Sequence, residues 1–314
     1  MSHDDVSRSE AIQLKRILIA TDFSDASRNA VRYAAAITRH YGARLYVVHV
    51  LSSIGYRMVG PDAVMEAAEC AVHDLRKLWN KLGVNSDSSA IELAFIVRQG
   101  EVCAVLADLI QKEHIDLVVV GTRGLMGLSK VALGSVAEAI FRTASCPVLT
   151  VGPSSASDWP QRELGAEKVI LLATDFEDAS LRALPYAVSI ADRSRSKLVV
   201  FHVAKCIPED ESTAIPGIRE ASLQRLKQLI PDDLGIEVDL RVTCSTPVDT
   251  ILSEAASTVA SLVVLGIHQK SLFVPPGHLP STTAYGVVIE AKCPVLTVRT
   301  GRRVKMSQCQ TACL

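Results

Sequence analysis

The 314-residue sequence has no surplus of positive charge: 33 Lys and Arg stand against 34 Asp and Glu, a formal net charge of -1. Nucleic-acid phosphates are gripped by strongly basic faces, so this balance speaks against a nucleic-acid partner while leaving acidic small molecules open. No apolar run approaches the length needed to span a bilayer, and the opening MSHDDVSRSEAIQLK has acidic residues where a secretory signal has an apolar centre. The expectation is a soluble, cytoplasmic protein without a membrane partner. None of the eight cysteines forms a Cys-x-x-Cys pair, which removes the usual zinc and thiol-redox spacings. Buried thiols are expected instead, with Cys309 and Cys313 in a polar tail. Two phosphate motifs are missing as well, Gly-x4-Gly-Lys-Ser/Thr and a Gly-x-Gly-x-x-Gly after a strand, which counts against a P-loop motor or a dinucleotide dehydrogenase.

What the chain does contain is two copies of itself. RILIATDFSDASRNAVRYAAAI, from Arg16 to Ile37, returns as VILLATDFEDASLRALPYAVSI, from Val169 to Ile190. RLYVVHV ending at Val50 is echoed by KLVVFHV ending at Val203, and CPVLTV occurs at Cys146 to Val151 and again at Cys293 to Val298. At about 150 residues per domain the length fits two domains, and an apolar share of 48% is enough for two cores. The repeats bound them at 15–151 and 167–299, with a Pro-, Ser- and Gly-rich linker over 152–166 and flexible tails over 1–14 and 300–314.

Within each copy, short apolar runs alternate with helical patterns, the signature of βαβ units around a parallel sheet. Strands are predicted at RILIAT, RLYVVHV, ELAFIV, LVVVG and PVLTV in the first copy. The segment after Gly100 repeats at the helical period, with Val102, Val105, Leu106, Leu109 and Ile110 on one face. Pro185 falls inside a predicted helix, where it costs about 3 kcal/mol, so that helix is expected to start late or to bend. The fold class is α/β: two tandem doubly wound domains, each a five-stranded, mostly parallel sheet with helices on both faces. Such sheets bind ligands beyond the carboxyl ends of their strands, where the strand order reverses. That rule directs attention to Thr21 and Asp22, to Val50, and to the loop after the fourth strand.

The loop reads GTRGLMGLSKVALGS, Gly121 to Ser135. Gly121 and Gly124 can turn the chain tightly, Gly134 clears space, and Ser135 has the chemistry of an N-cap. The N–H groups of the following helix and its positive dipole end, with Arg123 and Lys130 adding charge, make a plausible cradle for phosphate oxygens. A plain turn with Ser135 as a simple cap is the competing reading. Asp22 likewise suits either a ligand contact, to ribose hydroxyls or a phosphate-bound metal, or a local cap or turn. His49 and His202, each next to last in a second strand, read as structural histidines, and no nucleophile, base or metal-ligand set converges with them.

Together these motifs resemble the universal stress protein family in its tandem two-domain form. Its ATP-binding members carry Gly, two residues, Gly, nine residues and Gly-Ser/Thr, which Gly121, Gly124, Gly134 and Ser135 match without a gap. The resemblance covers nearly the whole chain apart from tails and linker. It implies an adenine nucleotide alpha-hydrolase-like fold with strand order 3-2-1-4-5. It also implies ATP, often with a divalent cation such as Mg2+, held by that loop. Asp22 would then lie near ribose and phosphates, Val50 near adenine through its backbone, Ala20 and Thr21 in the pocket wall, and Val136 at the helix start. The second copy keeps Thr174, Asp175 and Val203, but its loop reads GIHQKSLFVPPGHLPSTTAYG, with Gln269 in place of the second glycine and Ser281 and Thr282 opposite Gly134 and Ser135. Prolines offer no N–H, so this copy is expected to bind ATP poorly or not at all. The resemblance further implies pairing of the two domains through their final strands, and leaves open whether two whole chains form a homodimer. The leading expectation is an ATP-binding regulatory or stress-protective module. A slow metal-dependent ATPase or nucleotide transferase and a nucleotide-free scaffold are the alternatives.

Overall fold

The structure, a computed structural model, describes residues 12–52, 60–81, 91–122, 133–152, 155, 168–204, 214–231, 234–268 and 282–299. The chain divides into two compact units. The first runs β1 (Arg16–Ala20), α1 (Asp25–Tyr41), β2 (Arg44–Ser52), α2 (Pro61–Lys81), β3 (Glu92–Gly100), α3 (Val102–Lys112), β4 (Leu117–Gly121), α4 (Ser135–Thr143) and β5 (Val148–Val151). The second repeats the plan as β6 (Val169–Ala173), α5 (Asp178–Ser194), β7 (Lys197–Ala204), α6 (Ala214–Leu229), β8 (Val238–Cys244), α7 (Pro247–Ser257), β9 (Leu262–Ile267), α8 (Thr283–Glu290) and β10 (Val295–Arg299).

Strand order in the first unit is β3-β2-β1-β4-β5, and in the second β8-β7-β6-β9-β10. The ladders that join these neighbours run parallel, so the doubly wound architecture and the order 3-2-1-4-5 are both present. Parallel strands covered on both faces need apolar side chains at consecutive positions. Ile17, Leu18 and Ile19 of β1, and Val118 and Val119 of β4, are accordingly shielded from solvent completely. The order reverses between β1 and β4, and between β6 and β9. Each reversal opens a crevice at the carboxyl ends of the strands.

Helix α1 shows how closely the layers approach. Ser24 caps it, accepting from the Ser27 N–H, and Gly42 closes it in the left-handed conformation at φ 62°. Its buried face is built from small residues, among them Ala26, Ala30, Ala34 and Ala35. They let its first turn rest on Gly121, where a Cβ would stand 2.9 Å from the Ala26 carbonyl carbon and from the Ser27 nitrogen. In the second unit the approach of α5 to Gly266 is tighter still: a Cβ there would overlap the backbone of Ala179 and Ser180.

Two expectations are corrected. Helix α5 starts at Asp178 and runs 17 residues, the same length as α1, so Pro185 does not delay it. Ala179, Ala183 and Ala187 are buried as α5 packs on β6, β9 and β10, and this packing outweighs the hydrogen bond lost at proline. The cysteines are not uniformly buried thiols. Cys103 is buried, but Cys70 is exposed on α2, and Cys244 is disulfide-bonded, its partner lying outside the described residues. Cys293 is partly covered, and burial pushes its thiol up to about 11. No described helix is long and apolar enough to cross a membrane.

Gly266→Ala is expected to destabilise the protein by about 1–3 kcal/mol through forced overlap with backbone, and Gly121→Ala by less. Denaturant unfolding of both variants measures this, and wild-type midpoints in both would contradict the close approach. At pH 8, brief treatment with a thiol-alkylating reagent followed by peptide mass mapping should find Cys70 modified and Cys293 intact.

Candidate functional site

The chain leaves β1 through a turn held by hydrogen bonds among neighbouring residues. The Thr21 N–H still donates to the Val48 carbonyl of β2 at 2.9 Å. Thr21 Oγ1 then accepts from the Phe23 N–H at 3.1 Å and shares a hydrogen bond of 3.0 Å with Ser27 Oγ. Asp22 Oδ1 accepts from the Ser24 N–H at 3.0 Å. Between them Phe23 takes φ 63°, a left-handed conformation that costs a bulky residue about 1–2 kcal/mol. The Asp22 carboxylate therefore acts as a turn acceptor through Oδ1, and Ser24, not Asp22, is the N-cap of α1. Thr21 is buried, while Ala20 and Asp22 are half-buried.

His49 is satisfied, as expected. Its Nδ1 lies 2.8 Å from the Thr21 carbonyl oxygen, which can only accept, so Nδ1 carries the proton. Its ring stands 4.8 Å from that of Phe23. Beyond Ala20, β2 continues without β1 and pairs with β3 alone, Val50 opposite Arg98. Val48 sends its carbonyl toward β1, so Val50, two residues on, directs its own N–H and C=O into the space past the end of β1.

On the other side of the crevice β4 ends at half-buried Gly121. The Thr122 N–H donates to Val151 at 2.9 Å, and the Thr122 carbonyl accepts from the Gly134 N–H at 2.8 Å. This second bond corrects the expected helix start. Gly134 is held in extended geometry, at φ -63° and ψ 150°, and becomes the N-cap, while Ser135 is the first helical residue with an exposed side chain. The Gly134 N–H is consequently not a free donor. Gly134 offers no side-chain cap, and the first helical bond runs from Glu138 to the Gly134 carbonyl. The N–H groups of Ser135, Val136 and Ala137 thus stand at the helix start without acceptors inside the helix. Arg123, Gly124 and Lys130 lie outside the described residues.

The second unit repeats the first turn at Thr174, Phe176 and His202. Phe176 has φ 64°, Thr174 Oγ1 accepts from the Phe176 N–H at 3.0 Å, and His202 Nδ1 meets the Thr174 carbonyl at 2.8 Å. The differences lie around it. Asp175 Oδ1 accepts from the Glu177 N–H at 3.0 Å and from Ser180 Oγ at 2.7 Å, while Oδ2 faces His268 Nε2 at 3.1 Å. Thr282 caps α8 with its own hydroxyl, which accepts from the Tyr285 N–H. Both the strand-tip carboxylate and the helix start are therefore engaged by the chain's own side chains. Sequence reading missed His268; the available signal was that it falls two residues after Gly266, as Arg123 falls two after Gly121.

Burial raises the pKa of Asp175, but the hydrogen bonds from Ser180, the Glu177 N–H and His268 together outweigh it and hold the carboxyl below its ordinary 3.8. A depressed carboxyl stabilises the fold above the unfolded-state value and loses that contribution as pH falls through the folded one. Asp175→Asn should therefore be less stable than the wild type at pH 7, with the difference shrinking below about pH 4. A stability series against pH checks this, and a difference independent of pH would contradict it.

The model of the universal stress protein family matches residues 13–152 and 167–299. The chain is 27% identical over 298 residues to a universal stress protein of Mycolicibacterium smegmatis, covering 90% of this chain and 96% of that one. A universal stress protein of Methanocaldococcus jannaschii is 30% identical over 145 residues, covering 44% of this chain and 81% of its own length. Among solved structures, a universal stress protein from Archaeoglobus fulgidus shares the fold with a TM-score of 0.67 at 20% identity, over 92% of this chain and 100% of that one.

Proposed function

The chain belongs to the universal stress protein family, and on that premise we propose that it is a regulatory or stress-protective module that binds one ATP in its first domain and none in its second. One contrast carries the reading: the α4 helix start has no side-chain cap, whereas α8 is capped by its own Thr282. At the carboxyl end of the sheet, beside the crevice where the strand order reverses, such a helix start favours an anion through its N–H groups and dipole.

In this reading the N–H groups of Ser135 and Val136 hold phosphate oxygens, and Gly121, Gly124, Arg123 and Lys130 of the loop complete the cradle. Asp22 accepts from ribose hydroxyls beside Ala20 and Thr21. The Val50 backbone groups that face past the end of β1 read the adenine edge. Among the described residues no three His, Cys, Asp or Glu side chains converge as a metal-ligand set. A Mg2+ ion would thus be carried mainly by the triphosphate oxygens, with Asp22 assisting.

The test is to denature the purified protein and quantify released adenine nucleotide, then to repeat with Gly134→Val. Gly134 has φ -63°, which valine tolerates, so the substitution fills space without straining the backbone. One ATP per wild-type chain, lost in the variant, is the expected result. No nucleotide in the wild type, together with no heat on titration with MgATP, would sink the proposal.

A further inference from the structure

The turn that carries Asp22 is intrinsically costly, and a side chain from the neighbouring strand holds it. Thr21 is one residue past the last β1–β2 register pair, Ala20 with Val48, so no strand supplies a donor for its carbonyl. His49 supplies it at 2.8 Å, and the same imidazole backs the Phe23 ring at 4.8 Å. One rigid side chain thus grips the turn on both sides of Asp22, through the residue before it and the residue after it. Without that grip, the left-handed Phe23 has a route to relax, and the carboxylate between them moves with the backbone.

We infer that His49 is a positioning residue for the first-domain nucleotide site, acting through Thr21 and Phe23 to hold Asp22 in place. The inference rests on the ATP reading above, and it differs from a purely structural role in a way the second domain exposes. His202 makes the same bond to Thr174 and lies 4.3 Å from Phe176. There the Arg225 guanidinium lies over the Phe176 ring at 4.3 Å, and Asp175 is bonded by Ser180 and His268. Ser27 and Ser180 make matching bonds, to the Ser24 and Glu177 carbonyls and to Thr21 and Thr174. His202 is therefore an internal control in the same chain, matched in geometry and placed where no nucleotide is proposed to bind.

The experiment is calorimetric titration of the full chain with MgATP, alongside thermal unfolding, for the wild type, His49→Phe, His49→Asn and His202→Phe. Phenylalanine keeps a ring and removes the donor; asparagine keeps an N–H donor and removes the ring. His49→Phe should weaken ATP binding about tenfold and His49→Asn by less, because a turn no longer held in its binding geometry must be ordered on binding. His202→Phe should lower the unfolding temperature but leave ATP affinity within about twofold of wild type. Wild-type affinity in every folded His49 variant overturns the inference alone. Equal weakening by His49→Phe and His202→Phe also overturns it, since the effect would then be loss of fold stability. A wild type that binds no ATP overturns the first-domain reading itself, and the inference with it.

Discussion

The contact on which the carboxyl end of the first sheet depends is the approach of α1 to the backbone of Gly121. With Cβ excluded at Gly121, the first turn of α1 lies against the tip of β4, and the tips of β1 and β4 are brought side by side. That proximity leaves the chain after Ala20 little room to turn. It must enter α1 within four residues, and does so by taking a left-handed step at Phe23, with Thr21, Asp22 and Ser24 supplying the hydrogen bonds. Geometry at the switch point is therefore a consequence of packing between layers, and the side chains there inherit their positions from it.

The two units show which parts of this arrangement belong to the fold and which to a site. The glycine under the helix, the threonine, the left-handed phenylalanine and the histidine recur in both. They are the requirements of making the turn. What differs is what surrounds the carboxylate and the helix start: His268, Ser180 and Thr282 close those positions in the second unit.

Much of this was legible in the sequence, because repetition and apolar periodicity are local signals. LVVVG gave β4 at its observed bounds, RLYVVHV and ELAFIV began their strands at the right residue, and the two-copy plan followed from ATDF and CPVLTV. The misreadings share a physical cause: each turned on a contact between residues far apart or on packing. The N-cap of α4 moved from Ser135 to Gly134 because the Thr122 carbonyl takes the Gly134 N–H. Pro185 does not delay the start of α5, because the helix is held along its buried face. His268 meets Asp175 across 93 residues of sequence, and no local pattern announces that pairing.

The self-capped start of α8 has a thermodynamic meaning beyond its local hydrogen bond. A helix end that supplies its own acceptor has little to gain from solutes, so the folding free energy of that part of the chain is insensitive to the composition of the surroundings. At the α4 start the N-cap, Gly134, makes no side-chain hydrogen bond, so an anion bound there would add to the folding free energy of that part of the chain. The two helix starts thus differ in how much a dissolved anion can add to the stability of the chain around them.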